Sequence, residues 1–141
     1  MFYSKLVKRA YQISFEAHKD DVDKAGYPYV FHPFYLATQM EDEITTCVAL
    51  LHDVVEDHGD KYSFEYFQSQ GFYTEIIDAL KLLTHSEEVE YMDYIKEIKN
   101  NQYATKVKIA DLNHNLDYRR NDGVKTSKYE TYKQALDFLL K

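Results

Sequence analysis

Apolar residues recur at helical spacing along most of the chain. Leu6, Ala10, Ile13 and Ala17 are three or four residues apart, as on one face of an amphipathic helix. The pattern predicts further helices at 32–40, 43–57, 63–67, 73–83, 91–99, 104–117 and 126–140, and a loop at 19–31. Strand-like alternation is nearly absent, and only four glycines and two prolines interrupt the pattern. The chain is therefore predicted to be all-α.

Length, charge and cysteine usage restrict the class of protein. The 141 residues suit a single domain, 1–141. A formal net charge of −7 disfavours binding to nucleic acid. Cys47 is the only cysteine, which rules out an internal disulfide, and the chain has neither a membrane-spanning apolar run nor a signal-peptide core. We expect a cytoplasmic protein that binds no membrane, and its oligomeric state stays open.

The segment 48–57 places ionisable residues inside an apolar run. Four apolar residues precede His52 and Asp53, and two valines separate this pair from Glu56 and Asp57. The pattern predicts that all four side chains belong to a buried central helix. Burying such groups costs several kcal/mol each unless they are paired or bind a metal. The sequence therefore indicates that these residues are needed where they stand.

Two histidines and two aspartates are candidate ligands of one divalent metal. His52 and Asp53 are adjacent, while His32 and Asp111 come from other predicted helices that a bundle could bring together. Imidazole nitrogen and carboxylate oxygen suit a transition metal or Mn²⁺. Taken singly, each residue could instead be a hydrogen-bonded core or surface group.

Glu56 and Asp57 are candidate proton acceptors. Each lies four residues after a candidate ligand, so one helical turn places it near that edge. A carboxylate there could activate water or orient the substrate, and the spacing does not decide which of the two is the base. The alternative is a solvated acidic helix end, which the helix dipole disfavours.

Three motifs resemble the HD-domain metal-dependent phosphohydrolases, and most closely the hydrolase domain of the RelA/SpoT homologues and the small alarmone hydrolases. The match covers roughly residues 10–117. The motifs are Gly26-Tyr-Pro28-Tyr29-Val-Phe-His32-Pro33, Leu50-Leu51-His52-Asp53-Val-Val-Glu56-Asp57 and Lys108-Ile-Ala-Asp111-Leu-Asn-His114-Asn115.

The resemblance implies a compact helical bundle with a single metal site in its core. The substrate would be a small phosphorylated nucleotide, and the reaction would remove the 3′-pyrophosphate from guanosine tetra- or pentaphosphate. Glu56 and Asp57 would activate the attacking water, and Asn115 would contact the nucleotide. The implied ion is Mn²⁺, held by His32, His52, Asp53 and Asp111.

Two positions depart from the family pattern. The family has Arg-Lys where this chain has Asp23-Lys24, and its arginine packs on the purine, which an acid cannot do. Leu112 replaces a residue that is commonly basic. These departures place the guanine specificity in question more than the hydrolytic chemistry.

The remaining candidate substrate contacts are weaker. Lys24 and Lys108 could hold distal phosphates, and Tyr29 could stack on a base. Each lysine could equally be a solvated charge, and the tyrosine could simply cover the core. The histidines at 18, 58 and 85 have no required role. His58 could be a second-metal ligand, as in dinuclear HD proteins, but the remaining histidine pattern of such a centre is not visible.

Three alternative functions stay open. The chain could be an HD-type hydrolase of another nucleotide or phosphoester. It could be a metal- or nucleotide-binding regulatory domain that has lost catalysis. It could also be a helical interaction module without a metal, in which case the four candidate ligands would be dispersed.

Overall fold

A computed structural model describes residues 1–141 and shows nine α-helices and one 3₁₀ helix. No strand forms, and the only β-type contact is an isolated bridge between Val22 and Pro28. The all-α prediction is confirmed. The elements are α1 Lys5–His18, α2 Phe31–Thr38, α3 Glu43–Leu51, α4 Val54–His58, α5 Phe64–Ser69, α6 Thr74–Leu83, α7 Tyr91–Ile98, α8 Gln102–Leu116, the 3₁₀ helix Tyr118–Asn121 and α9 Tyr129–Leu140.

Helix α3 is the centre of the bundle. Its last seven residues, 45–51, are all buried. It packs against α1, α2, α6 and α8, so no side of the helix is left for solvent. Its C-terminal end therefore delivers the next residue, His52, directly into the interior.

The predicted helix 43–57 is in fact two helices. Helix α3 ends at Leu51, and α4 begins at Val54 after a turn formed by His52 and Asp53. The ring of His52 donates a hydrogen bond to the Ala49 carbonyl, which lies in the last turn of α3, where carbonyls lack partners from the next turn. A pattern of apolar residues carries no information about such a bond.

The prediction that Glu56 and Asp57 are buried was wrong. Val54 is the only buried residue of α4, and both acidic residues are exposed on this five-residue helix. The change of direction after Asp53 carries α4 out to the surface. The two carboxylates therefore lie at an edge of the interior rather than within it.

Other boundaries differ from the predictions by a few residues. Helix α9 begins at Tyr129 because a turn precedes it. The predicted helix 104–117 begins earlier, at Gln102, and ends at Leu116, where the extended residue Asp117 separates it from the 3₁₀ helix. None of the helices combines the length and apolar character that a membrane span requires.

Asp42 caps the N-terminus of α3, and we predict that this cap stabilises the whole fold. Its Oδ1 accepts from the Thr45 amide at 2.7 Å, and its Oδ2 accepts from the Thr45 hydroxyl at 2.7 Å. Asp42→Ala should lower the free energy of unfolding in urea by about 1 kcal/mol. Asp42→Asn should retain most of the stability, and Glu41→Ala, an exposed neighbour, should change little. An equal loss for Asp42→Ala and Glu41→Ala would contradict the assignment.

Candidate metal centre

The four candidate ligands converge at one point in the bundle. His32 lies in the first turn of α2, His52 and Asp53 form the α3–α4 junction, and Asp111 lies on α8. His32 Nε2 lies 2.8 Å from Asp111 Oδ1, and His52 Nε2 lies 3.0 Å from Asp53 Oδ2 and 3.6 Å from Asp111 Oδ1. The longest of these separations joins His32 Nε2 and Asp53 Oδ2 at 4.0 Å. His32, His52 and Asp53 thus hold donor atoms within 4.8 Å of one another, and Asp111 Oδ1 joins this group through its contacts with both histidines.

The hydrogen bonding of His52 leaves one nitrogen facing this position. Its Nδ1 donates to the Ala49 carbonyl at 2.7 Å, so Nε2 carries the lone pair in the neutral ring. Nε2 is buried and has no hydrogen-bond partner. Burial alone would lower the pKa of His52, but the carboxylates of Asp53 and Asp111 outweigh it and raise the pKa well above its usual value. The position therefore attracts positive charge, as a metal site does.

Asp111 is held by three side chains from its own helix and from α2. Lys108 Nζ donates to its Oδ2 at 2.8 Å, and Asn115 Nδ2 donates to its Oδ1 at 3.2 Å. Burial alone would raise the pKa of Asp111, but Lys108, His32 and His52 hold it well below its usual value. The carboxylate is thus ionised although it is only 5% exposed.

His114 supports His32, and sequence analysis gave it no role. The two Nδ1 atoms lie 2.7 Å apart, and the rings are nearly parallel with centroids 5.0 Å apart. Burial, followed by the nearness of His32, lowers the pKa of His114 to about 4. If His32 donates through Nδ1, its Nε2 is free to bind a metal, which is the arrangement usual for ligating histidines. His114 lies three residues after Asp111, so the sequence already placed the two side chains on the same helix face and could have indicated a role for His114.

Tyr29 lies against Asp53. Its hydroxyl donates to Asp53 Oδ2, and its ring lies 4.8 Å from the ring of His18 and 5.9 Å from that of His32, centroid to centroid. Burial, together with Asp53, raises the pKa of Tyr29 well above its usual value. These contacts place the side chain beside the ligands, where it orients Asp53. Its stacking on a base stays a prediction.

A cavity of about 700 Å³ opens onto the cluster. A volume of this size suits a small ligand such as a nucleotide. Its walls include all four candidate substrate residues and Glu56, but not Asp57. The sequence did not indicate the other polar wall residues, because several come from the segment after α8. They include His85, Asn121, Lys128 and Tyr132. Arg120, which the sequence already places among the cations near the motifs, lines the same cavity.

The two acidic residues of α4 have different surroundings. Glu56 Oε1 accepts from the His85 amide at 2.7 Å, which fixes the carboxylate at the cavity wall. Desolvation raises the pKa of Glu56, and it raises that of Asp57 to about 6 with further contributions from Asp53 and Glu56. Both groups therefore hold protons more strongly than ordinary carboxylates. Glu56 alone faces the cavity.

Among the predicted phosphate-binding residues, only Lys24 has no acidic partner. Its ammonium forms no ion pair, whereas that of Lys108 is bound to Asp111 and lies 5.3 Å from the ring centroid of Tyr94. Asn115 is also engaged, since its Oδ1 accepts from Arg120 while its Nδ2 donates to Asp111. A substrate that enters the cavity would thus contact Lys108 and Asn115 while both are already hydrogen-bonded to other side chains.

The two departures from the family pattern have structural roles here. Asp23 Oδ1 accepts from the amides of Ala25 and Tyr27, each at 3.0 Å, and so closes a turn around Gly26, whose φ is +90°. Leu112 is fully buried in the core. The cavity wall therefore has a turn-forming carboxylate at position 23, and position 112 does not reach the cavity.

Sequence comparisons identify relatives of one kind. No protein-family model matches the chain. A protein of Mycobacterium leprae described as a probable GTP pyrophosphokinase is 30% identical over 132 residues, which cover 82% of this chain and 16% of that protein. The bifunctional (p)ppGpp synthase/hydrolase SpoT of Escherichia coli K12 is 26% identical over 128 residues, 79% of this chain and 18% of SpoT.

The name of a third relative describes hydrolysis and no synthesis. The guanosine-3′,5′-bis(diphosphate) 3′-pyrophosphohydrolase of Aquifex aeolicus is 34% identical over 64 residues, 43% of this chain and 9% of that enzyme. The chain is a RelA/SpoT homologue. It spans less than a fifth of the length of each of these three relatives.

The fold of this RelA/SpoT homologue also matches a solved structure. A metazoan SpoT orthologue, described as hydrolysing ppGpp, superimposes with a TM-score of 0.73 at 22% identity. The match covers 100% of this chain and 88% of that one. The predicted HD-type helical bundle is thus confirmed, and its His and Asp groups could hold a divalent metal.

We predict that His52 is needed to retain a divalent metal. His52→Gln should reduce bound metal roughly tenfold or more at limiting Mn²⁺, because it removes the buried ring nitrogen that faces Asp53 and Asp111. Metal analysis after gel filtration measures this. His85→Gln, which removes a histidine outside the cluster, should retain the metal. Equal retention by the two variants would show that His52 is not a ligand.

We also predict that the hydroxyl of Tyr29 tightens metal binding by orienting Asp53. Tyr29→Phe should weaken Mn²⁺ binding by roughly tenfold in calorimetry, as the loss of a hydrogen bond to a ligand does elsewhere. Tyr27→Phe is the matched control, because its hydroxyl donates to Asp122 at 2.6 Å on the surface. An unchanged affinity in Tyr29→Phe would assign its hydrogen bond to the fold alone.

Proposed function

We propose that this chain is an HD-type, Mn²⁺-dependent pyrophosphohydrolase that removes the 3′-pyrophosphate from guanosine 3′,5′-bis(diphosphate). The observation that carries the proposal is the buried, unpartnered Nε2 of His52, which faces two carboxylates at the cavity. The names of its relatives support this substrate. We further propose that residues 1–141 act as a single hydrolase domain.

The proposed ligands are His32, His52, Asp53 and Asp111. Two imidazole nitrogens and two carboxylate oxygens suit Mn²⁺ and other transition metals. A divalent metal bound there would supply Lewis acidity, lowering the pKa of water and offsetting charge on phosphoryl oxygens. Lys108 and Asn115 hold Asp111, and Tyr29 holds Asp53, so the oxygens are positioned before a metal arrives.

We assign the proton acceptor to Glu56. It lines the cavity one turn after His52, and its carboxylate is fixed by the His85 amide. Its raised pKa favours proton transfer from water. Asp57 would assist as a charged neighbour outside the cavity, since the two carboxylates interact closely enough for Glu56 to contribute to the raised pKa of Asp57.

Cations around the cavity would hold the phosphates. Lys24 lies at the cavity wall without an acidic partner. Arg120 and Lys128, which belong to the segment after α8, also line the cavity. Lys108 would face the phosphate nearest the metal, since its ammonium already touches Asp111. Asn115 would contact the sugar or a phosphate, and Tyr29 would pack near the base.

One observation favours a second candidate function, hydrolysis of another nucleotide or phosphoester by the same chemistry. The carboxylate of Asp23 is bound to backbone amides of its own loop, so no guanidinium is available there to pack on a purine. A change at this position alters base recognition without touching the ligands.

A nucleotide panel that includes guanosine tetraphosphate separates the two candidates. With Mn²⁺ present, we expect pyrophosphate release from the alarmone and none after chelation with EDTA. Turnover of other nucleotides alone would support the second candidate. Metal binding without turnover of any nucleotide would contradict the proposal.

Substitution of the proton acceptor should separate catalysis from metal binding. We expect Glu56→Gln to lower kcat by roughly 10²–10⁴-fold, because no other carboxylate of α4 lines the cavity. Mn²⁺ content should be unchanged. Asp57→Asn should have a smaller effect, and Asp60→Asn, an exposed neighbour, should behave like wild type. A larger loss in Asp57→Asn than in Glu56→Gln would reverse the assignment.

A further inference from the structure

A second cluster of metal-ligating side chains lies outside the cavity. His18 ends α1, Asp21 lies in the following loop, and His58 ends α4. Asp21 Oδ2 lies 3.2 Å from His18 Nδ1 and 2.7 Å from His58 Nε2, and one donor atom from each residue lies within 4.8 Å of the others. None of the three lines the cavity. We call this group the α1–α4 cluster.

The spacing of the α1–α4 cluster fits metal coordination. Tetrahedral ligands bound at about 2.0–2.2 Å from a zinc ion lie roughly 3.3–3.6 Å from one another. The contact between His18 and Asp21, at 3.2 Å, is close to this length, and the contact between Asp21 and His58, at 2.7 Å, must open by roughly 0.6–0.9 Å to admit an ion. Two imidazoles and one carboxylate are the protein ligands of open zinc sites and of related transition-metal sites.

One side chain of the cluster is buried and the other two are partly exposed, as in a metal site that is open to solvent. His18 is 1% exposed, and its only polar contact is Asp21. The side chains of Asp21 and His58 are 35% and 31% exposed, so water and an incoming ion reach that side. An ion here would bind the buried imidazole of His18 on its inner side and the more accessible Asp21 and His58 on its outer side. Its remaining coordination positions would face solvent.

The charges around the cluster also favour a cation. Asp20 and Asp60 flank its residues in sequence, and Asp57 lies close enough for its pKa to respond to both His58 and Asp21. The nearest lysine in sequence, Lys19, is paired with Glu16 at 2.9 Å.

We propose that His18, Asp21 and His58 bind a second transition-metal ion of the zinc class. The ion would join the end of α1, the 19–30 loop and the end of α4. It would be separate from the candidate metal centre, because the ring of Tyr29 lies between His18 and Asp53.

Occupancy of this site would act on the metal centre through Tyr29. The ring of His18 contacts the ring of Tyr29, whose amide donates to the Asp21 carbonyl at 2.9 Å. Both contacts fix the tyrosine that hydrogen-bonds Asp53. An ion in the α1–α4 cluster would therefore restrain the loop that positions one ligand of the first site.

Zinc content tests this inference independently of any enzymatic activity. Metal-free protein is equilibrated with Zn²⁺, passed through gel filtration and analysed for metal per chain. Wild type should retain two ions, one in each site. Asp21→Asn and His58→Ala should each retain one fewer, whereas His52→Gln should keep the ion of the α1–α4 cluster.

Asp20→Asn is the matched control, since it removes the same charge from the adjacent exposed residue. It should retain as much zinc as wild type. Circular dichroism should show equal helix content in all variants. Retention by wild type of a single ion that His52→Gln removes, or unchanged retention by both Asp21→Asn and His58→Ala, would overturn the proposal and leave a hydrogen-bonded triad. Neither result would bear on hydrolysis at the first site.

Discussion

His52 Nε2 lies 3.0 Å from the carboxylate of Asp53 and 3.6 Å from that of Asp111 in the bundle interior. The rest of the site depends on how these three polar groups are stabilised side by side. An acceptor nitrogen and two carboxylate oxygens repel one another when no cation lies between them, and this repulsion is why, despite burial, the carboxylates raise the pKa of His52 well above its usual value. The nitrogen has no hydrogen-bond partner, and both Asp111 and the ring are almost fully buried. Burying such groups costs several kcal/mol unless they are compensated. A divalent metal offsets that cost and gives the arrangement a chemical use.

The fold meets this constraint with two devices. The helical break after Leu51 turns His52 inward and carries Glu56 to the cavity wall, so one short segment supplies two candidate ligands and the candidate proton acceptor. Helix α8 supplies the other side, because residues 108, 111, 114 and 115 lie on one face at helical spacing. That face provides Asp111 as a candidate carboxylate ligand. It also provides Lys108 and Asn115, which donate to Asp111, and a histidine that contacts His32.

The sequence predicted most helices because their apolar periodicity reflects burial against α3. It pointed to the candidate ligands His52 and Asp53 because ionisable residues interrupt an apolar run there. It missed the break after Leu51, since that break involves a side-chain hydrogen bond to Ala49. It could not separate Glu56 from Asp57, because their difference lies in which one faces the cavity. It offered His58 as a possible second-metal ligand but gave no sign of the α1–α4 cluster, since His18 and His58 come together only through tertiary packing.

Anomalous diffraction from crystals grown with Mn²⁺ tests the central claim most directly. The account predicts a manganese peak at the candidate metal centre, bound by both imidazole Nε2 atoms and by one oxygen each of Asp53 and Asp111. The Nδ1 of His52 should stay on the Ala49 carbonyl. Full-occupancy crystals with no peak between these four side chains would contradict the account, as would a manganese ion bound only elsewhere in the cavity.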